Sequence, residues 1–318
     1  MLELGFKLSA EEQTAPDLVR FARLGEEAGF SFAALSDHFH PWIDRQGQSP
    51  FAWAVLGGVA ESTERIQVGT AVTCPMIRTH PAIVAHAAAT VATMLPGRFF
   101  LGLGTGENLN EHILGGPWPS PSVRREMLEE AVEVIRGLWE GELFEHHGRF
   151  YTVSGARLYS LPEEPPPILV AGSGEAAAEL AGRIGDGFIG LSPDRELLAA
   201  FERGAGNKEK LKYAEIQVCW ARDEGQARKT AFEWWPNTSI EGELVVELPL
   251  PRHFEQAAKM LSEDDVAESV TCGPDPERHL EIIRKYADAG YDHVWVHQIG
   301  PDQEGFFEFY AQEILPKI

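Results

Sequence analysis

Cysteine is scarce in this chain: three in 318 residues, at Cys74, Cys219 and Cys272, widely separated and without a Cys-x-x-Cys pair. That excludes a disulfide framework and a zinc finger, and it fits a reducing, cytoplasmic compartment. Positive charge is also short, with 27 Lys+Arg against 49 Asp+Glu and a formal net charge of −22. An acidic surface repels phosphate backbones and anionic lipid heads, so neither nucleic acid nor a membrane surface is expected as a partner. No apolar run approaches the roughly 20 residues needed to cross a bilayer. The N-terminus lacks the basic, apolar and small-residue succession of a secretory signal. Internal repeats and low-complexity tracts are absent as well. What is present is a globular composition, 44% hydrophobic and 24% charged, on a length that suits one large α/β barrel or two ordinary domains.

Short apolar, β-prone runs recur along the chain: 4–8, 31–36, 66–73, 99–104, 168–171, 187–191, 214–220 and 293–299. They are nearly continuous rather than alternating, as parallel strands buried on both faces are. Between them lie helical periodicities over 15–29, 50–63, 81–95, 123–140, 175–184, 194–203 and 276–289. Eight strands alternating with helices predict an α/β fold, a closed (β/α)8 TIM barrel forming one domain over 1–318. An open doubly wound sheet would want Gly-x-Gly-x-x-Gly after an early strand and an acidic residue about 20 positions on, and no segment supplies both. Two connections are longer than a minimal barrel needs. Insertions are therefore expected after strand 4 (141–167, with a hairpin pairing 143–147 and 149–153 around Gly148) and after strand 7 (222–293).

In such a barrel the chemistry sits just past the C-terminal ends of the strands. Past the second strand stands Ser36-Asp37-His38-Phe39-His40-Pro41-Trp42, the densest group of titratable and aromatic residues in the chain. His38 and His40, two apart on an extended segment, suit metal ligation. The later strand ends, at Gly172 and Ser192, offer no further ligands, so no metal is expected. The alternatives are a hydrogen-bonded strand-end histidine, with Asp37 capping the turn, or a proton acceptor near neutral pH held by a neighbouring carboxylate. Past the fourth strand, Glu107 follows Gly102, Gly104 and Gly106, so backbone and carboxyl can approach a ligand closely. It reads either as a helix-start acid or, with His38, as half of an acid and base pair. Gly172-Ser173-Gly174 before a helix is either an ordinary turn or a set of free amides for an anion. Trp42 reads as a pocket wall or as core, and Trp234 and Trp235 read the same way or as a dimer contact.

The motifs Ser36-Asp37-His38-Phe39-His40-Pro41-Trp42 and Gly104-Thr105-Gly106-Glu107-Asn108-Leu109-Asn110-Glu111 resemble the deazaflavin-dependent branch of the luciferase-like superfamily. The similarity is greatest to the coenzyme F420-dependent glucose-6-phosphate dehydrogenase family and runs over nearly the whole chain. The resemblance implies a cytoplasmic homodimeric oxidoreductase that moves a hydride between an alcohol or sugar and C5 of coenzyme F420. It puts the base on His38, a pocket tryptophan on Trp42 and the acid near N1 on Glu107. Cofactor contacts would fall on Asp37, Ala71, Val72, Gly106, Asn110, Gly172, Ser173 and Gly174, with a cis peptide at Ala71-Val72. Substrate contacts would fall on Glu11 and Arg278. The lysines with which the family holds a sugar phosphate fall here on the segment Gly190-Leu191-Ser192-Pro193-Asp194 and on Gln256. Losing charge-assisted contacts disfavours glucose 6-phosphate and points to a neutral sugar, another secondary alcohol or a lactol. An FMN-dependent monooxygenase of the same superfamily is the alternative.

Overall fold

Short, mostly apolar runs bury both faces of a strand, and eight strands of four to nine residues close here into a single ring. The computed structural model describes residues 2–240 and 242–318. Its strands are β1 (Glu3–Leu8), β2 (Phe32–Leu35), β3 (Gln67–Thr70), β4 (Phe99–Leu103), β5 (Phe144–His147), β6 (Thr152–Ala156), β7 (Ile168–Ala171), β8 (Gly187–Gly190), β9 (Leu211–Cys219), β10 (Thr271–Cys272) and β11 (His293–Gln298). The ring runs β1-β2-β3-β4-β7-β8-β9-β11 and back to β1, every pair parallel. Its helices are α1 (Ala15–Ala28), α2 (Ala52–Ser62), α3 (Pro81–Met94), α4 (Asn108–Glu111), α5 (Pro121–Trp139), α6 (Glu175–Ile184), α7 (Arg195–Ala205), α8 (Glu224–Trp234), α9 (Leu244–Glu247), α10 (Pro251–Ala258), α11 (Glu263–Ser269), α12 (Pro276–Ala289) and α13 (Gln303–Phe309). The fold is the (β/α)8 barrel read from the sequence.

Local chemistry sets the helix ends. The side chain of Thr14 accepts from Asp17 N at the start of α1, and Asp275 accepts from Glu277 N at the start of α12. Gly290, at φ 116°, ends α12 in the left-handed region where a side chain would be strained.

Three apolar clusters follow from the strand pleat. Inside the ring pack Phe32, Ala34, Phe100, Leu169, Ile189, Tyr213 and Trp295, with Ala71 and Val72 against them. Outside it, Phe6, Leu8, Leu35, Val68 and Val170 meet the inward stripes of the helices. A third cluster, built on Trp42, Leu109, Trp235, Phe254 and Ile299, joins the insertion after β9 to the barrel mouth.

Two expected boundaries move. The hairpin pairs Phe144–His147 with Thr152–Ala156, three residues later than expected on its second arm. The Glu130 carboxylate on α5 accepts from the amides of Arg149, Phe150 and Tyr151, which holds those residues in the turn. The seventh barrel strand starts at Leu211 rather than Ala214, because Leu211 and Lys212 pair with Gly187 and Phe188. A lysine in that stretch hides the apolar run.

Candidate functional site

The loop leaving β1 folds back on itself, with the amides of Glu12 and Gln13 both donating to Ser9 O. This turn brings Glu11 under the end of β2. Its side chain is fully buried, and Oε2 accepts from Ser36 Oγ at 2.6 Å and Ser9 Oγ at 3.1 Å. Oε1 has no hydrogen-bond partner among the described residues and lies 3.5 Å from His38 Nδ1. Burial alone would push this carboxyl up, but the charges of His38 and Lys7 and the Ser36 bond outweigh it and hold Glu11 below the usual carboxylate range. The His38 ring packs on Trp42, centroids 5.2 Å apart, and Trp42 in turn meets Phe254 edge-on at 5.1 Å. Trp42 is thus at once a neighbour of His38 and part of the cluster over the mouth.

The side chains of Asp37 and His40, the other titratable residues of the motif, turn away from His38. Asp37 Oδ2 accepts from Thr73 Oγ1 at 2.7 Å and Oδ1 from Arg78 Nη2 at 3.0 Å, so both oxygens expected at a cofactor are engaged by protein. The carboxylate beside His38 is Glu11, not its chain neighbour. The His40 ring turns away, with Nδ1 2.9 Å from Leu109 O and a stack on His112, while its carbonyl lies 3.3 Å from His38 Nδ1. No group of three His, Cys, Asp or Glu that could hold a metal occurs among the described residues.

Arg78, past β3 and carrying no motif, bridges the end of β2 to the segment past β4. Besides Asp37 it reaches Glu111, with Nε 3.4 Å from Oε1, and its backbone N donates to Glu111 Oε2 at 2.7 Å. Burial pushes the Glu111 carboxyl up, Arg78 pulls it down, and the nearby Glu107 adds to the rise. Asn110 is a brace of the same kind. Its Oδ1 accepts from Phe39 N at 2.8 Å and His40 N at 3.1 Å, and its Nδ2 approaches Glu107 Oε2 at 3.4 Å. Glu107 is half-buried at the mouth. Gly106 before it has φ 68°, and a Cβ there would meet Cys74 Sγ at 2.7 Å, so only glycine brings the chain this close.

A second ionic group, absent from the sequence reading, fills the barrel below the mouth. Lys7 pairs with Glu215 at 3.1 Å. His297 lies between Glu215 (3.6 Å) and Glu12 (3.4 Å), and Glu12 also accepts from Gly300 N and Trp235 Nε1. Burial opposes charge on Glu215, yet Lys7 and His297 hold it far below the usual range. Trp235 is 2% exposed and held by Glu12, so it is not available for a dimer contact, and Trp234 packs with it in the cluster over the mouth.

The remaining expected positions follow the ends of later strands. The Ala71-Val72 peptide is cis, and both residues pack on the interior cluster. Gly172, Ser173 and Gly174 form the turn into α6, largely exposed, with no side-chain cap at Gly174. The first amides of α6 therefore have no acceptor within the helix. Arg278, in the first turn of α12, is half-exposed and paired with Glu224 at the start of α8, 2.9 Å away.

Residues 3–293 match the model of the luciferase-like monooxygenase family. The chain is 38% identical to an F420-dependent glucose-6-phosphate dehydrogenase of Beutenbergia cavernae, over 100% of this chain and 98% of that protein. It is 37% identical to the protein of the same name from Mycobacterium avium, over 100% and 98%. Among solved structures, an F420-dependent secondary alcohol dehydrogenase in complex with an F420-acetone adduct superposes with a TM-score of 0.91 at 29% identity, covering 98% of both chains. The F420-dependent tetrahydromethanopterin reductase of Methanopyrus kandleri shares the fold, with a TM-score of 0.81 at 21% identity over 99% of both chains.

Proposed function

This chain belongs to the luciferase-like monooxygenase family, and from that premise we propose that it is a coenzyme F420-dependent dehydrogenase acting on the CH–OH group of an alcohol or sugar. The observation that carries the mechanism is the buried Glu11 carboxylate, one oxygen saturated by two serines and the other 3.5 Å from His38 Nδ1. The residues around the rim fit a deazaflavin. Ala71 and Val72 would back the ring, and the exposed amides at Ser173 and Gly174 would take the cofactor phosphate in a chain poor in cations. A 5-deazaflavin supplies two-electron hydride chemistry at C5 when bound.

The protein's own work is proton management and positioning. In the oxidation direction His38 takes the hydroxyl proton of the substrate. The His40 carbonyl, 3.3 Å from His38 Nδ1, keeps the ring oriented, and Glu11, held ionised by its surroundings, stabilises the imidazolium that forms. Glu107, half-buried at the mouth, would exchange a proton with N1 of a bound deazaflavin. Trp42 covers His38 and keeps water from the developing charge. Asp37 and Asn110 act through the backbone they brace: Arg78 and Thr73 fix the one, and the other fixes Phe39 and His40.

The substrate is a neutral alcohol or sugar rather than a sugar phosphate. Asp194, in the segment expected to carry a lysine, caps α7 by accepting from Glu196 N and Leu197 N, and Arg278 is tied to Glu224. A homodimer belongs to the same reading. Phe51 before α2 and Ile83 on α3 are both 60% exposed on neighbouring elements whose outer positions carry little charge, which suits burial against a second copy.

The test is a fluorescence titration with oxidised F420, followed by loss of deazaflavin absorbance with sugars, sugar phosphates and alcohols. Binding with turnover of an unphosphorylated alcohol or sugar is expected. Tight binding of FMN with oxygen consumption would replace the reading by a monooxygenase.

A further inference from the structure

Buried polar atoms without a partner are rare in folded proteins, and each asks for an explanation. Nine such side-chain atoms occur among the described residues, and five of them belong to Glu11, Gln13, Asn237 and His297 at the barrel mouth. Glu11 faces His38, and His297 lies between two carboxylates. That leaves Gln13 and Asn237, which the proton chemistry does not use.

Gln13 is 6% exposed with both its carboxamide atoms unpartnered, and Asn237 is 7% exposed with Oδ1 unpartnered. Gln13 sits on the turn that carries Ser9 and Glu11, its own amide donating to Ser9 O at 3.1 Å. Asn237 lies in the single turn Pro236–Ser239, between two residues that are pinned to the mouth. Trp235 donates to Glu12, the chain neighbour of Gln13, and Thr238 donates to Gln217 on β9. The insertion and the β1 loop thus meet with two uncharged, unsatisfied side chains at their junction.

The donor and acceptor inventory says what would satisfy them. A carboxamide offers N–H donors and a carbonyl acceptor together. A hydroxyl group, donor and acceptor at once, meets both, whereas a phosphate brings only acceptors and would face Gln13 Oε1 and Asn237 Oδ1 unfavourably. The buried cations of this region, Lys7 and Arg78, are already held by Glu215, Asp37 and Glu111. We infer that Gln13 and Asn237 bind hydroxyl groups of an uncharged polyhydroxylated substrate, a neutral sugar or polyol, at carbons other than the one that gives up hydride. This rests on the dehydrogenase reading and narrows its substrate.

The experiment uses the full chain and the near-isosteric variants Gln13→Met and Asn237→Leu, with glucose as the polyhydroxylated probe and 2-propanol as the monohydric one. Glucose raises the melting temperature of the wild type, and that rise is lost in both variants. Without ligand both variants melt at or above the wild type, by about 2–4 °C, because a buried unsatisfied group has been replaced by an apolar one. With F420, the ratio of kcat/KM for glucose over 2-propanol falls at least tenfold in each. No glucose-induced shift in the wild type, a shift that survives in the variants, or variants that melt lower without ligand would overturn the inference, as would an unchanged ratio. Failure of the wild type to bind F420 would instead remove the dehydrogenase reading, and the thermal shifts would still decide the role of Gln13 and Asn237.

Discussion

Replacing Arg78 with methionine removes the cation that two buried carboxylates share. The guanidinium lies 3.0 Å from Asp37 Oδ1 and 3.4 Å from Glu111 Oε1, and all three side chains are under one-tenth exposed. Stranding one partner of a buried ion pair costs about 3–5 kcal/mol, a large share of the roughly 5–15 kcal/mol that holds a typical protein folded. Glu111 has a way to relieve that cost. Burial already raises its carboxyl above the usual value, against the pull of Arg78, and without Arg78 it rises further. A raised carboxyl means that the folded state binds a proton more readily than the unfolded one. The contribution of that group is therefore present at low pH and lost as pH rises through the folded value. We expect urea denaturation of Arg78→Met to show a loss of about 3–5 kcal/mol at pH 8 and about half that at pH 5. Arg78→Lys, which keeps the charge but not the fork, should fall between. An equal loss at both pH values, or a loss under about 1 kcal/mol, would refute the shared-cation argument.

Four further outcomes follow from the same geometry. His38→Ala should lower kcat by about 10²–10⁴ with the affinity for F420, read by fluorescence, near the wild-type value; full turnover in the variant would take the base away from His38. Glu11→Gln should lower kcat far more than it changes KM, since it removes the charge that stabilises the imidazolium, and equal change in both would make Glu11 a substrate contact instead. Lys7→Met removes the main partner of Glu215 and should cost about 3–5 kcal/mol in urea denaturation, with part of it recovered in Lys7→Met/Glu215→Leu, which also removes the acceptor of Trp295 Nε1; no recovery would mean that Lys7 acts through packing. Phe51→Glu combined with Ile83→Glu should convert the proposed dimer to monomer in light scattering, and a dimer that persists would move the interface elsewhere.

The barrel was legible because its signals are local. Continuous apolar runs, a 3.6-residue period between them and a glycine such as Gly290 at a helix end each depend on a few consecutive residues. That His38, Trp42 and Glu107 lie at strand ends was legible for the same reason, since it follows from where the apolar runs stop. Where a charge interrupts a run, as Lys212 does in β9, the boundary slipped. Glu130 shifted the hairpin from another element altogether, by holding its turn amides.

Partnership between side chains was not legible, because it is decided by closure of the ring. The sequence set Asp37 beside His38, but the fold gives Asp37 to Arg78 and Thr73 and brings in Glu11 from the loop after β1. Lys7 and Glu215 share an ion pair across 208 positions of chain, and no period or spacing links them. Gln13 and Asn237 carry no motif at all. The amino-acid order by itself determined the alternation of strand and helix and hence the rim on which chemistry could sit. Which carboxylate faces His38, which cations remain free and which polar groups stay unsatisfied were settled only by tertiary structure, because burial and pairing depend on neighbours that the chain supplies from afar.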